Sequence, residues 1–351
     1  MPLIVVNKRI LWADACRVWA IFGVLLIHSS GEVFYSYGKI PIGYWLSANL
    51  LDSLARVAVP LFVMISGSLL LNSPDIYSIS LFNISRRVGK VLLPLVVWSM
   101  VYLWWVDSNT PAKIIDPSEW LQKFLSQPVM YHLWFAYMIV GLYVLLPIFQ
   151  VIFKACESSH QFQRYFLAVW MIINCLSIYV PMPFTSPMQI SMVFGYGGYF
   201  ILGGLLSSTR WINVALFKWA TLYLTGVLAT FLITWIRTKS TGIPDELAYA
   251  YFSPNVLFAS IGAFMMIRKI QFSNELGSYF LKMLSDASFF VYFVHVLLLE
   301  FLRYGTFGLQ ISTSEIHPAI SIPILALAVF IFSLAGAVVF RMIPGSRRFL
   351  G

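Results

Sequence analysis

The sequence predicts an all-α, polytopic membrane bundle of about ten spanning helices, and three observations predict it. The first is composition. Of 351 residues, 60% are hydrophobic and only 11% are charged, whereas soluble domains run at about 25% charged and about 45–50% apolar. The second is arrangement: the apolar residues gather in runs at 10–30, 45–71, 91–106, 131–153, 166–180, 191–206, 212–236, 250–267, 287–303 and 318–340. The third is the distribution of lysine and arginine between those runs.

Crossing a bilayer takes about 20 apolar residues, and a spanning segment must satisfy its own backbone, so helices are expected. The alternating pattern of a membrane barrel is absent. The first run follows Lys8 and Arg9 as a secretory leader would. It is interrupted by Asp14 and Arg17 and lacks a small-residue cleavage site, so it reads as a retained span. The second run is long enough to tilt or to break near Pro60. The third is short and is preceded by Arg86, Arg87 and Lys90. The fourth opens on Tyr131-His132-Leu133-Trp134-Phe135, an interfacial aromatic belt. The next four runs fill the middle of the chain. The ninth carries Ser288, Tyr292 and His295, with Glu300 further out, and the tenth closes the bundle. No stretch is long and polar enough for a separate soluble domain, so residues 1–351 are expected to form one membrane-embedded domain. Internal repeats and low-complexity segments are not evident.

With ten spans and a cytoplasmic N-terminus, one side holds most of the 23 lysines and arginines, including Lys8, Arg9, Arg86, Arg87, Lys90, Arg210, Arg268, Arg341, Arg347 and Arg348. The other side holds Lys39, Lys113, Lys123, Arg237, Lys239 and Arg303, and Arg17 and Arg56 fall inside spans. The positive-inside rule then predicts both termini in the cytoplasm. The net charge of +9 is read as topology. No basic stripe interleaved with exposed aromatics suggests nucleic acid as a partner. Cys16, Cys156 and Cys175 have no disulfide or zinc spacing and are read as inert.

Ionisable residues inside spans cost several kcal/mol and are functional candidates. The first span holds Asp14, Arg17 and His28. Arg17 and His28 are eleven residues apart, which is about three turns, so they share a face about 16 Å apart along the axis. Asp14, three residues before Arg17, is placed to pair with it. The plainer alternative is a structural ion pair with His28 closing the helix. Arg56 lies deep in the second run, facing either protein or water. Arg86, Arg87 and Lys90 read either as flanking charge or as phosphate ligands. His132 is either a belt residue or a ligand. Ser288, Tyr292 and His295 are spaced to share one face, with a satisfied bundle histidine as the alternative. No phosphate loop, nucleophile elbow or zinc motif appears, and no paired spacing supports a metal.

At these residues the chain resembles the acyltransferase-3 family of bacterial membrane acyltransferases, and most closely the branch that O-acetylates enterobacterial common antigen. The resemblance rests on Asp14-x-x-Arg17 with His28 beyond it, on Arg56-x-x-Val59-Pro60-Leu61-Phe62 with Ser66-Gly67, and on the basic cluster before Pro94. It rests also on Pro128-Val129-Met130-Tyr131-His132-Leu133-Trp134-Phe135 and on Ser288-x-x-x-Tyr292-x-x-His295. The order of these elements, from residue 14 to residue 295, carries the identification. The resemblance implies a multi-pass protein of the bacterial inner membrane and an acyl-CoA donor, most simply acetyl-CoA, with no permanently bound cofactor. It implies a surface glycan or lipid-linked oligosaccharide as acceptor. It maps the family's functional Arg and His onto Arg17 and His28. The family's basic cluster often reads Arg-x-x-Arg, whereas here Lys90 follows Arg87, which weakens that site. Many members carry an added hydrolase-like domain that this chain is expected to lack.

The combined expectation is an O-acyltransferase. Arg86, Arg87 and Lys90 hold the CoA phosphates. The pantetheine arm runs along Asp14, Arg17 and His28, and His28 acts as general base. Arg17 or Arg56 stabilises charge on the thioester carbonyl, while Arg56, His132, Tyr292 and His295 contact substrate. Direct transfer and an acyl-histidine intermediate both remain open, as does oligomeric state. A transporter or flippase for a glycan or small anion would use the same polar stripe, although the inverted repeats common in transporters are not visible.

Overall fold

The computed structural model describes residues 9–72, 81–108, 117–179, 190–271, 274–305, 308, 310, 311, 313 and 316–344. Lys8, Lys113, Arg347 and Arg348, which enter the charge count, lie outside them. Among the described residues there are helices and no strands. In chain order the helices are α1 (Leu11–Phe34), α2 (Ile42–Ala55), α3 (Ala58–Leu70), α4 (Leu81–Ser108), α5 (Pro117–Ser126), α6 (Trp134–Val144) and α7 (Leu146–Ser158). They continue with α8 (His160–Tyr179), α9 (Ile190–Leu206), α10 (Leu216–Thr241), α11 (Pro254–Arg268), α12 (Glu275–Tyr304) and α13 (Pro318–Arg341).

Each of the apolar runs falls in helix, but they are not equal. Among the described residues, seven stretches are long and apolar enough to cross a membrane: Leu11–Phe34, Ile42–Leu70, Leu81–Val106, Leu216–Thr241, Leu247–Arg268, Glu275–Tyr304 and Pro318–Arg341. An eighth is reached if the bent pair α6–α7 counts as one span. Two of the ten expected spans fall short. α8 opens on polar His160, Gln161, Gln163 and Arg164, and α9, at 17 residues, is shorter than the spans above.

Prolines account for the interruptions. The 45–71 run breaks at Arg56–Val57, between α2 and α3. Pro60 has no N–H to give the carbonyl four residues back, so the ladder fails at Arg56. The 131–153 run bends by 68° between α6 and α7, where Pro147 cannot bond back to Tyr143. That bend was not expected from the sequence. Pro94 sits inside α4 without ending it.

α1 packs against α2, α3, α11, α12 and α13. It is therefore an interior helix, and its polar residues meet protein rather than lipid. The tightest crossing joins α3 and α9. Gly67 backs onto the Phe200 main chain and Gly203 onto the Met64 main chain, so a Cβ at either position would collide with backbone. Small residues allow this close approach, which is how apolar helices associate inside lipid.

Candidate active site: two chambers on one helix

Three of the protein's five histidines converge. His28 stacks on His295 with ring centroids 5.2 Å apart and planes 29° apart, and His132 meets His295 edge-on at 4.9 Å. The three come from α1, from the turn before α6, and from α12. Tyr131 closes on His28 edge-on at 5.1 Å. His28 and His132 line a cavity that admits water-sized molecules over about 90 Å³, together with Val59, Phe62, Trp134, Phe135, Tyr251, Ser288, Phe289 and Tyr292.

Local chemistry holds each ring. The Tyr292 hydroxyl donates to the His132 carbonyl at 2.8 Å and accepts from the Ala136 N–H at 3.2 Å. The turn that presents His132 is thus tied to α12. Nδ1 of His295 lies 2.7 Å from the Tyr292 carbonyl. A carbonyl only accepts, so Nδ1 carries the proton and Nε2 is left as an acceptor. Among the described residues, no partner meets Nε2 of His295 or either nitrogen of His132. Arg303 donates to the carbonyls of His28 at 2.7 Å and Ser29 at 3.2 Å, which pins the backbone beneath the His28 ring.

A second chamber of about 640 Å³ lies further toward the N-terminal end of α1. Arg17, Ser66, Val91, Tyr143, Ser285, Asp286 and Arg341 line it. The two chambers share Phe62, Phe135, Ser288 and Phe289. Phe62 and Phe135 face each other at 5.7 Å between centroids. An aromatic partition therefore separates an arginine vestibule from the histidine chamber, and α1 carries one polar residue into each.

The arginine end is densely paired. Asp14, almost fully buried, accepts from Arg9 Nε at 2.7 Å, Arg9 Nη2 at 3.1 Å, Arg17 Nη1 at 3.1 Å and Ser285 Oγ at 2.7 Å. Arg9 also bridges to Asp286 at 2.6 Å. These two carboxylates hold the Arg9 guanidinium well above its ordinary value, so it stays charged. Arg17 keeps about a third of its side chain exposed to the vestibule (35%).

The other residues singled out in the sequence fall differently. Arg56 lines neither chamber. It pairs with Asp52 at 2.6 Å and lies 4.0 Å over the Tyr249 ring, beside the histidine chamber's wall at Tyr251. Arg86, Arg87 and Lys90 are exposed on the first turns of α4, just before Val91 of the vestibule. Sequence reading missed Arg9, Ser285, Asp286, Arg341 and Arg303, because the basic ones sit where flanking charge is ordinary. Among the described residues, no three His, Cys, Asp or Glu side chains are arranged to hold a metal ion.

A basic vestibule leading to buried imidazoles is the arrangement in this helical bundle that could carry chemistry. The particular family follows from the sequence: the acyltransferase-3 model, described as an acyltransferase domain, matches residues 10–342, and the chain belongs to that family. No curated protein and no solved structure matches the chain.

Proposed function

We propose that the protein is an O-acyltransferase of the bacterial inner membrane. It would take an acyl group, most simply acetyl, from acyl-CoA and pass it to a hydroxyl of a cell-surface or lipid-linked glycan. The observation that carries this reading is the pair of chambers lying along α1, which share the four lining residues Phe62, Phe135, Ser288 and Phe289. A donor with an anionic head and a long thin arm fits that shape. The phosphates lie against Arg17 and Arg341, with Arg86, Arg87 and Lys90 at the rim, since guanidinium forks match phosphate oxygens. The pantetheine arm passes Phe62 and Phe135, and the thioester reaches the histidines. In this reading the number of spans is even, with both termini and the vestibule on the cytoplasmic side.

His28 is the base. The acceptor hydroxyl gives its proton to the His28 imidazole while its oxygen attacks the thioester carbonyl carbon. The C–S bond breaks, and the departing CoA sulfur takes the proton back from the imidazolium. His295 stacks on the His28 ring and Tyr131 meets it edge-on, while His132 backs the His295 ring and Tyr292 holds His132. The aromatic wall of Trp134 and Tyr251 suits the apolar face of a sugar. A carrier would use the same polar path. Membership of an acyltransferase family supports transfer, and an aromatic partition supports threading of an arm rather than passage of a whole solute.

The test is His28→Ala, with radiolabelled acetyl transfer to glycan followed in membranes. Transfer should fall by about 10²–10⁴, the usual effect of losing a general base. Acetyl-CoA binding and protein level should hold. Near-normal transfer would remove His28 from the mechanism.

A further inference from the structure

A third cavity has no part in the path described above. It lies between α8 and the rest of the bundle, with a volume of about 530 Å³. Its floor is apolar: Leu167, Leu202, Leu205, Leu206 and Ile261. Its rim carries His160, Arg164 and Arg210, and none of its lining residues is acidic.

Among the described residues, no acidic side chain meets the cations at this rim. Arg210 makes one neutral hydrogen bond, to Gln163 at 3.2 Å, and rests 4.8 Å over the Trp211 ring. The nearby Arg268 is already occupied by the carbonyls of Leu206, Ser207 and Ser208. Arg164 is exposed. Both tryptophans lining the cavity, Trp211 and Trp219, have buried indole N–H groups with no partner among the described residues. Trp219 is 8% exposed. A buried N–H without an acceptor is unfavourable, and a cluster of cations and N–H donors with no carboxylate calls for an anion.

The apolar floor and the position decide which anion. α8 buries none of its side chains, unlike the interior helices. Leu167 of α8 lines the groove with Leu202, Leu205 and Ile261, and an apolar chain would cover these side chains. The groove opens at the same end of the bundle as the vestibule. α3 runs from Val59 in the histidine chamber past Ser66 in the vestibule, and Asn72 beyond it donates to Gly204 O at 3.4 Å and Ser207 Oγ at 2.9 Å, at the end of α9. This is the basic end, where an anionic leaflet would lie.

We propose that this groove binds one anionic phospholipid. Its phosphate sits between Arg164 and Arg210, with the indole N–H groups of Trp211 and Trp219 as further donors, and one acyl chain lies along the leucines. The lipid joins α8 to the body of the bundle. Basic pockets between membrane helices recognise anionic headgroups in this way, and a guanidinium fork gives the phosphate two parallel bonds.

The purified full chain in detergent, titrated with phosphatidylglycerol or with phosphatidylcholine of the same acyl chains, tests this by native mass spectrometry. Phosphatidylglycerol should bind about tenfold or more tightly than phosphatidylcholine. Arg164→Gln with Arg210→Gln should abolish that preference, and Trp219→Phe, which keeps the ring and removes the N–H, should reduce it less. Amide exchange in residues 160–179 should slow when phosphatidylglycerol is added to the parent chain and be unchanged in the double variant. Both arginines are exposed, so the variants should fold, and retained acetyl-CoA binding in the vestibule is the check. Equal affinity for the two lipids would overturn the proposal. So would a preference that survives the double substitution, or displacement of the lipid by millimolar inorganic phosphate, which would mean an adventitious anion site only.

Discussion

Arg17 and His28 lie on one face of the same helix, yet their surroundings are opposite. The Arg17 end is a closed network: one buried carboxylate takes four hydrogen bonds from Arg9, Arg17 and Ser285, and Arg9 reaches on to Asp286. At the His28 end the rings touch one another, and among the described residues no hydrogen-bond partner meets the nitrogens of His132 or Nε2 of His295. Satisfied buried charge holds a fold together, whereas unsatisfied buried polar atoms mark where a ligand completes the structure. On the proposed reading, the contrast gives Asp14 a role in stability and the histidines the chemistry.

Substitutions at the two ends should therefore fail differently. The largest effect expected at the paired end is on stability. Asp14→Ala removes the buried carboxylate that Arg9, Arg17 and Ser285 share and leaves Arg9 paired with Asp286. With both guanidiniums more than a third exposed, the cost falls below the ~3–5 kcal/mol of a fully buried pair. Membrane protein level and thermal midpoint should drop together with transfer. A variant with normal stability and lost transfer would move Asp14 into the chemistry and erase the contrast. His28→Ala is expected to do the reverse, losing transfer alone.

A smaller effect is expected at the vestibule rim. Arg87→Ala with Lys90→Ala should weaken acetyl-CoA binding and flatten its salt dependence, because exposed charges are screened by salt. Both side chains are exposed, so no loss of stability should accompany it. Binding and salt slope equal to the parent's would leave Arg17 and Arg341 as the phosphate ligands and the cluster as flanking charge.

The smallest effect lies at the far end of α10, where Arg237 meets Asp245 at 2.9 Å just beyond the helix. The guanidinium holds the Asp245 carboxyl below its ordinary value. A depressed carboxyl contributes stability that is present above its unfolded value, about 3.9, and is lost as pH falls through the lower folded value. Asp245→Asn should thus be less stable than the parent at neutral pH by at most about 1 kcal/mol, with the difference shrinking once pH falls below about 4 and vanishing below the folded value. A difference independent of pH would mean that the side chain acts through packing instead.

Much of the fold was legible because hydropathy is a local property. The apolar runs fall in helices, and Pro60 announced the interruption that ends α2. Pro147 carried the same signal for the 68° bend and was passed over inside an otherwise continuous run. The site was legible residue by residue but not as a site. His28, His132 and His295 each stood out as imidazoles near spans, yet only the packing of α1 against α12, and the Tyr292 bond to the His132 carbonyl, bring them together. Arg341, Arg9 and Arg303 were hidden for the opposite reason. Charge at the ends of spans is ordinary, so a lining arginine and a flanking one look alike until the chambers are seen.

Whether the donor's acyl end reaches the histidine chamber can be read directly. An acetyl-CoA analogue with a photoreactive group in place of the acetyl methyl, bound to the purified protein and irradiated, should label the walls around His28, at Trp134, Tyr251 or Tyr131. Excess acetyl-CoA should suppress that labelling. Labelling confined to vestibule residues such as Tyr143 and Ser66, with none beyond Phe62 and Phe135, would contradict a path through the partition.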